Sequence, residues 1–86
     1  MPYTIVIKRQ AQKKLQSLPR DERARLAEKI NLLGQNPDNP ELDAKRLVGT
    51  PLYRLRVGNW RVIYDRQDAV KIIAIEKIKP RGDAYK

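Results

Sequence analysis

A single tight turn, Gly58-Asn59, separates two segments rich in β-branched and aromatic residues, and it constrains the fold more than any other feature of this sequence. Glycine at the first central position tolerates the positive φ angle of a type II′ turn, so the pattern predicts a β-hairpin over residues 52–64. A two-residue loop also fixes the register of the two strands. The predicted partners are Val57 with Trp60, Arg56 with Arg61, Leu55 with Val62, Arg54 with Ile63 and Tyr53 with Tyr64.

The predicted hairpin has two chemically different faces, because successive side chains of a strand point to opposite sides of the sheet. Like charges opposite each other weaken a ladder, so several guanidinium groups on one face favour a site for an anion. The alternative is charge placed for solubility, but such a surface mixes signs, and residues 52–64 contain no acid. The apolar face carries Tyr53, Leu55, Val57, Trp60, Val62 and Tyr64, and the other, the arginine face, carries Arg54, Arg56 and Arg61.

Net charge narrows the classes of partner. The 86-residue chain holds 19 Lys and Arg against 10 Asp and Glu, a formal charge of +9 with an isoelectric point near 10.2. This excess favours a polyanion, with nucleic acid first and an acidic protein second. An anionic membrane surface fits less well, because no helical segment combines a basic face with a bulky aromatic one. No apolar run is long enough to span a bilayer, and residues 1–10 lack the apolar core of a signal peptide.

The absence of two residue types limits the chemistry. With neither cysteine nor histidine, the chain has no disulfide framework, and the two commonest zinc ligands are missing. We therefore expect no metal and no cofactor, in one cytoplasmic domain that spans residues 1–86. If the protein is an enzyme, arginine, lysine, tyrosine and carboxylate groups carry its reaction. Glu76 and Asp83 are candidate bases, although each also suits an ion pair with a neighbouring Lys or Arg.

Before the hairpin, the sequence predicts a short strand and two helices. Residues 3–8 are rich in β-branched side chains, and from Arg9 the apolar spacing becomes helical. Pro19 suits the first turn of a second helix, which we expect to run to about Leu33 and to end at Gly34. The predicted buried positions are Ala11, Leu15 and Leu18 in the first helix and Leu26, Ala27, Ile30 and Leu33 in the second.

The remaining segments complete a layered fold. Residues 35–43 are polar with two prolines and predict a loop, and residues 44–50 are interpreted as an approach segment with Leu47 packed. Residues 65–69 predict a polar turn, and residues 70–78 a final strand that is buried on both sides. The predicted order is β-α-α-β-β-β, an α+β architecture in which an αα-hairpin covers one face of a mostly antiparallel sheet. Since the helices cover the apolar face, we expect the arginine face to point to solvent.

The C-terminal tail carries further candidate residues. Residues 79–86 follow the last strand, and their direction would bring Arg81 and Tyr85 to the arginine face. Tyr85 suits a platform for a stacked base or a catalytic hydroxyl, and equally a packing lid over the end of the sheet.

The order of elements and three short motifs together resemble the RelE/ParE superfamily of type II toxins. The resemblance covers nearly the whole chain. Each motif is weak by itself, but their order and spacing are specific. The motifs are Lys45-Arg46-Leu47-x-Gly49-x-Pro51-Leu52-Tyr53-Arg54-Leu55-Arg56, then Trp60-Arg61-Val62-Ile63-Tyr64, and finally Pro80-Arg81-Gly82-Asp83-Ala84-Tyr85.

The resemblance implies a toxin that is neutralised by a cognate acidic antitoxin. In the RelE branch, such a toxin is a metal-free mRNA interferase that enters the ribosomal A site and cleaves the message there. The ribose 2′-OH attacks the adjacent phosphate and leaves a 2′,3′-cyclic phosphate and a 5′-OH. In the ParE branch, the same fold inhibits DNA gyrase by protein contact. A basic RNA-binding module without toxicity is the third alternative.

The RelE resemblance also implies roles for individual residues. Arg61 and Arg81 would stabilise the phosphorane or protonate the leaving 5′-oxygen. Arg54 and Arg56 would orient the scissile phosphate and lower the pKa of the 2′-OH, and Tyr85 would stack on the nucleotide or hydrogen-bond to it. The residues expected to contact ribosomal or messenger RNA are Lys45, Arg46, Lys77 and Lys79.

This chain departs from the family pattern in ways that bear on proton transfer. Relatives often have lysine where this chain has Arg54 or Arg56, and lysine is the easier general base. Many relatives have histidine at the place of Pro80. The resemblance therefore leaves the general base open, with Lys79 as a candidate on the acid side. The arginine face together with Arg81 and Tyr85 favours the RelE branch over the ParE branch.

Overall fold

The structure is a computed structural model, and it describes residues 2–80. Two helices pack on one face of a five-stranded sheet, so the predicted α+β fold is confirmed with one additional strand. The elements are β1 (Thr4–Ile7), α1 (Arg9–Gln16), α2 (Arg20–Gln35), β2 (Asp43–Arg46), β3 (Leu52–Val57), β4 (Trp60–Gln67) and β5 (Ile72–Pro80).

The sheet has the strand order β1-β5-β4-β3-β2. β1 runs parallel to β5, and the other neighbouring strands are antiparallel. The central hairpin has the predicted register, with Val57 opposite Trp60 and Arg56 opposite Arg61. Gly58 has a φ angle of 57°, which agrees with the glycine-dependent turn that the sequence predicts. The mostly antiparallel sheet and its central hairpin are therefore confirmed.

The interpretation of residue 43 as loop and of residues 44–46 as part of an approach segment missed a strand. These residues form β2, an edge strand that pairs with β3. Four mostly polar residues show no apolar alternation, and their strand conformation depends on backbone hydrogen bonds to a partner that is distant in sequence. The connection from β2 to β3 is closed by the N–H of Leu47, which donates to the carbonyl of Leu52 at 2.9 Å.

The boundary between the last two strands lies later in the chain than predicted. β4 extends to Gln67 and β5 begins at Ile72, so the turn occupies residues 68–71 rather than 65–69. Val70, which was expected in the strand, is exposed. Asp65, Arg66 and Gln67 stay paired with β5, and the side chain of Arg66 reaches Asp38 and Asp68 outside the sheet. The polar residues 65–67 were therefore assigned to the turn, although they belong to β4.

The core lies between the helices and the apolar face of the hairpin. The buried positions predicted for the first helical segment are confirmed, including Ala11 and Leu15. Ala27 is exposed against expectation, because the buried side of α2 carries Leu26, Ile30 and Leu33, which follow one another at intervals of four and three residues. The largest fully buried side chains are Tyr64, Leu26, Leu33, Leu55, Ile73, Ile75 and Val62. Within residues 2–80, neither helix has the length and apolarity that crossing a membrane requires.

Gly34 lies inside the last turn of α2, whereas the sequence predicted that it ends the helix. The helix continues to Gln35. The N–H of Tyr3 donates to the carbonyl of Gly34 at 2.6 Å, and a Cβ at Gly34 would lie 2.9 Å from Cγ1 of Ile5. Glycine is needed here because α2 approaches β1 closely, and not because of a left-handed backbone.

Candidate functional site

The arginine face lies on the side of the sheet opposite the helices. The register places Arg56 directly opposite Arg61. The flanking strands add lysines, because directly paired residues point to the same face of a sheet. Lys45 pairs with Arg54, and Lys79 pairs with Arg61. The predicted site residues that share this face are Lys45, Arg54, Arg56, Arg61, Lys77 and Lys79.

Arg46 does not belong to this group. It pairs with Tyr53, whose side chain lies on the helix-covered face, so Arg46 points away from the arginine face. The side chain of Arg46 is exposed at the edge of the sheet. The structure thus separates Lys45 and Arg46, which the sequence placed together in one motif.

Arg54 is tied to a carboxylate that the sequence did not place on this face. Its Nη1 donates to Oδ1 of Asp43 at 3.0 Å and to the backbone carbonyl of Asp43 at 3.1 Å. Only 11% of the Arg54 side chain is exposed, whereas 58% of the Asp43 side chain is exposed. Asp43 was assigned to a loop, and only the pairing of β2 with β3 brings it opposite Arg56. The arginine face therefore mixes one acid with its cations.

Arg61 is more enclosed than predicted. The expectation of a solvent-facing side chain was wrong for this residue, which is only 6% exposed. Its strand is central in the sheet, and the side chain lines a pocket of about 290 Å³ that Leu47 and Leu52 bound on the side of the β2–β3 connection. A guanidinium in such a partly apolar pocket interacts more strongly with an anion than one in open solvent, because the local dielectric constant is lower.

A β-bulge in β5 turns a carboxylate toward the same pocket. Ile63 pairs with Lys77 and Tyr64 pairs with Ile75, so Glu76 is the extra residue between two paired positions. Glu76 lines the pocket together with Arg61, and its Oε2 lies 4.0 Å from Nζ of Lys8. Both roles considered for Glu76 from the sequence, a base and an ion-pair partner, are therefore compatible with its position.

The aromatic residues of the hairpin support the sheet rather than the arginine face. The rings of Tyr53 and Tyr64 stack with centroids 5.5 Å apart and an interplanar angle of 18°. Tyr64 is buried, and burial raises the pKa of its hydroxyl to about 12. Trp60 packs against the core, and Nζ of Lys14 lies 5.3 Å from its ring centroid. The predicted packing role of these three aromatics is confirmed.

A second arginine, Arg66, forms a network on the helix-covered side of the sheet. It donates to both carboxylate oxygens of Asp38, at 2.8 and 3.0 Å, and its Nε donates to Oδ1 of Asp68 at 2.7 Å. The hydroxyl of Tyr3 also donates to Oδ1 of Asp68, at 2.8 Å. Hydrogen bonds from Arg66 hold the pKa values of Asp38 and Asp68 below their usual range, and the bond to Asp38 raises the pKa of Arg66.

Two predicted site residues, Arg81 and Tyr85, lie outside the described residues. Within residues 2–80, the side chains form no cluster of three or more potential metal ligands. The part of the site that the structure describes thus consists of basic side chains, the two carboxylates Asp43 and Glu76, and a partly apolar pocket.

Comparisons with known proteins identify the family. A model of the ParE toxin of the type II toxin-antitoxin system parDE matches residues 5–85, almost the whole chain. The chain belongs to this family, within the RelE/ParE superfamily. It is also 38% identical to the protein named "Putative toxin RelE1" of Methanocaldococcus jannaschii, over 100% of this chain and 98% of that protein.

Solved structures point to the RelE branch of the family. The chain is similar to RelE in the archaeal RelE-RelB complex of Pyrococcus horikoshii, with a TM-score of 0.83, 41% identity, and coverage of 95% of this chain and 98% of that one. Escherichia coli RelE shares the fold, with a TM-score of 0.80 at 18% identity over 99% of this chain and 90% of that one. The protein is therefore a RelE-family toxin of a type II toxin-antitoxin system.

Sequence reasoning missed three features of the site. These are the ion pair of Asp43 with Arg54, the bulge that directs Glu76, and Lys13 and Lys14 of α1, which lie beside Lys77 and Lys79. The first two depend on strand register, which no local pattern at Asp43 or Glu76 encodes. One feature of the sequence could have indicated the position of Asp43. It lies two residues before the motif that begins at Lys45, and such a position is compatible with a short edge strand.

Proposed function

We propose that this toxin is a metal-independent endoribonuclease that cleaves mRNA in the ribosomal A site. The observation that carries the proposal is the pairing of Arg56 with Arg61 across the hairpin, with Arg61 enclosed in a pocket beside Lys79. Transfer of a phosphoryl group needs cationic donors fixed where charge develops on the phosphate oxygens. Guanidinium groups meet that need because they stay charged and match the geometry of phosphate oxygens.

The proposed reaction is the one that the resemblance to the RelE branch implies. The 2′-oxygen of the ribose forms a bond to phosphorus, the bond from phosphorus to the 5′-oxygen breaks, and a 2′,3′-cyclic phosphate remains. Arg61 stabilises the negative charge of the phosphorane, together with Arg81. Arg54 and Arg56 orient the scissile phosphate, and Tyr85 stacks on the displaced nucleotide.

Two protons have to move during this reaction. One leaves the 2′-OH, and arginine is a poor acceptor because its pKa lies above about 12. Glu76 is the carboxylate that lines the pocket beside Arg61, and we assign it as the acceptor. The other proton goes to the leaving 5′-oxygen, and Lys79, directly opposite Arg61, is the proposed donor.

The proposed partners are ribosome-bound mRNA and an acidic antitoxin. The RelE of Pyrococcus horikoshii was solved in complex with RelB, which supports an antitoxin for this chain as well. The net charge of +9 favours acidic partners of both kinds, nucleic acid and protein. An acidic antitoxin that binds the arginine face would prevent mRNA from binding, because both partners would pair with the same basic side chains.

Inhibition of DNA gyrase is the second candidate, because the matching family model is that of the ParE toxin. It requires a protein contact and no reacting phosphate. Enclosure of Arg61 among other cations favours cleavage, since a contact surface gains little from a recessed charge.

The test is primer extension on mRNA from a reconstituted translation reaction. We expect the wild-type protein to produce new ends within codons only when ribosomes are present, and Arg61→Ala to produce none. Arg23→Ala removes an exposed arginine from α2 and serves as the matched control, which should cleave like the wild type. Intact message with the wild-type protein would contradict the proposal. A gyrase supercoiling assay would then test the ParE-type alternative.

A further inference from the structure

A second basic groove lies along the outer edge of β5. β1 pairs with β5 only over the first part of that strand, Ile72–Ile75. From Glu76 onward, α1 flanks this edge instead, because the chain turns from β1 into the helix at Lys8. A groove of about 430 Å³ remains between α1 and the end of β5. Its walls carry Gln10, Lys13 and Lys14 of α1 and Lys77 and Lys79 of β5.

The four lysines of this α1–β5 groove bring uncompensated charge together. Within residues 2–80, none of them forms an ion pair with a carboxylate. Lys14 is held in place at the ring of Trp60, with 5.3 Å from Nζ to the centroid. Four like charges around one groove repel each other, and an anion in the groove removes that repulsion.

The groove is continuous with the arginine face. Lys77 and Lys79 line both the α1–β5 groove and the pocket that holds Arg61. They are two residues apart on one strand, so their backbone positions differ by about 6.6 Å. Two positive charges therefore follow each other along the edge of the sheet. A positively charged groove of this kind follows the backbone of a single nucleic acid strand.

We propose that the α1–β5 groove binds the sugar-phosphate backbone of the RNA strand beyond the scissile phosphate, as a second subsite. The proposal rests on the proposed function in that it takes the arginine face as the place of the reacting phosphate. Lys13 and Lys14 are the distinguishing residues of the subsite, because they line this groove and not the pocket of Arg61. They hold the strand through its charge, independently of its base sequence.

The experiment measures binding of fluorescently labelled 2′-O-methyl RNA, which has no attacking hydroxyl, by anisotropy. A trinucleotide fits the arginine face alone, whereas a decanucleotide also reaches the α1–β5 groove. We expect the double variant K13Q/K14Q to bind the decanucleotide about tenfold more weakly and the trinucleotide as the wild type does. The slope of log K against log salt for the decanucleotide should fall by about 1.4, since two phosphate contacts of about 0.7 each are lost.

Two control variants separate this site from general charge and from misfolding. R20Q/R23Q removes the same charge from exposed positions of α2 and should leave both affinities unchanged. K13R/K14R retains the charge and should bind the decanucleotide like the wild type. An equal loss in R20Q/R23Q, or an equal loss on both RNA lengths, would overturn the second subsite.

A further comparison distinguishes RNA from an acidic protein and binding from cleavage. If K13Q/K14Q binds both RNAs normally but binds a deca-glutamate peptide more weakly than the wild type does, the groove is a protein site and the proposal is wrong. If the wild-type protein shows the length-dependent binding but never cuts mRNA on ribosomes, the proposed function fails while the second subsite stands.

Discussion

The two ends of β4 carry arginines that lie on different faces of the sheet and in different surroundings. Arg66, near the end of the strand, donates to Asp38 and Asp68, so two acids of the same chain balance its charge. Arg61, near its start, lies opposite Arg56 on one side and Lys79 on the other. The five-residue separation is odd, so the two side chains point to opposite faces of the sheet.

The difference separates an arginine that joins two parts of the fold from an arginine that we propose to bind an anion. Arg66 joins the loop after α2 to the end of the sheet, and its charge is balanced within the fold. On the arginine face, Arg61 lies between Arg56 and Lys79 in the ladder, and like charges directly opposite each other weaken a ladder. If the proposed function is correct, stability and mRNA cleavage should therefore respond to substitutions at different ends of β4.

The largest effect should follow from removing the enclosed arginine. Arg61→Ala removes a donor from the place where we propose that phosphorane charge develops, and we expect the rate of mRNA cleavage to fall about 10²- to 10³-fold. Arg61→Lys retains the charge without the planar fork and should recover part of the rate. Single-turnover cleavage on ribosome complexes measures both. If both variants cleaved mRNA at the wild-type rate, Arg61 would have no part in cleavage and the proposed difference between the two ends of β4 would be wrong.

Removing Arg66 should have the reverse effect, a loss of stability without a loss of cleavage. Arg66→Ala removes the donor to both oxygens of Asp38 and one of the two donors to Asp68, and it detaches the loop after α2. The free energy of unfolding should therefore fall by about 1–2 kcal/mol. Cleavage measured well below the melting temperature should remain at the wild-type rate. Urea unfolding measures the free energy of unfolding, and Arg20→Ala, at an exposed position, is the control. A loss of cleavage without a loss of stability would contradict the structural role of Arg66.

Low pH should remove the stability that Asp38 and Asp68 contribute through their contacts with Arg66. The pKa values of Asp38 and Asp68 are lower in the folded chain than the ordinary value of 3.8, so the unfolded chain binds more protons as pH falls. The contribution of these carboxylates to stability is therefore complete above the ordinary value and is lost as pH falls through the lowered values. We expect the melting temperature of Arg66→Ala to decline less steeply below pH 4 than that of the wild type. Parallel declines would mean that other carboxylates control acid unfolding.

The smallest effect should come from the acid on the arginine face. Asp43→Asn removes the charge that Arg54 contacts at 3.0 Å, so the face becomes more positive. We expect affinity for 2′-O-methyl RNA to rise about threefold and its salt dependence to steepen, since exposed charge pairs contribute little. Asp21→Asn, in the first turn of α2, is the control and should leave the affinity unchanged. A loss of affinity would show that Asp43 orients Arg54 for binding.

Prediction from sequence succeeded where the physical cause is local. The period-2 alternation around Gly58 defined the hairpin, its register and the two faces, because each depends on neighbouring residues. It did not identify Asp38 as a partner of Arg66, since the two residues are 28 positions apart. It also missed β2, because this short segment of three polar residues and one alanine becomes a strand only when β3 is beside it.

The sequence by itself determined that one face of the central hairpin is apolar and the other carries Arg54, Arg56 and Arg61, because strand alternation is a property of the covalent chain. Tertiary structure alone decided which of these charges is balanced and which is enclosed. The pairing of β2 with β3 brought Asp43 to Arg54, and the bulge in β5 brought Glu76 to the pocket of Arg61. Charge neighbours are set by distance in space, and strand pairing joins residues that are far apart along the chain.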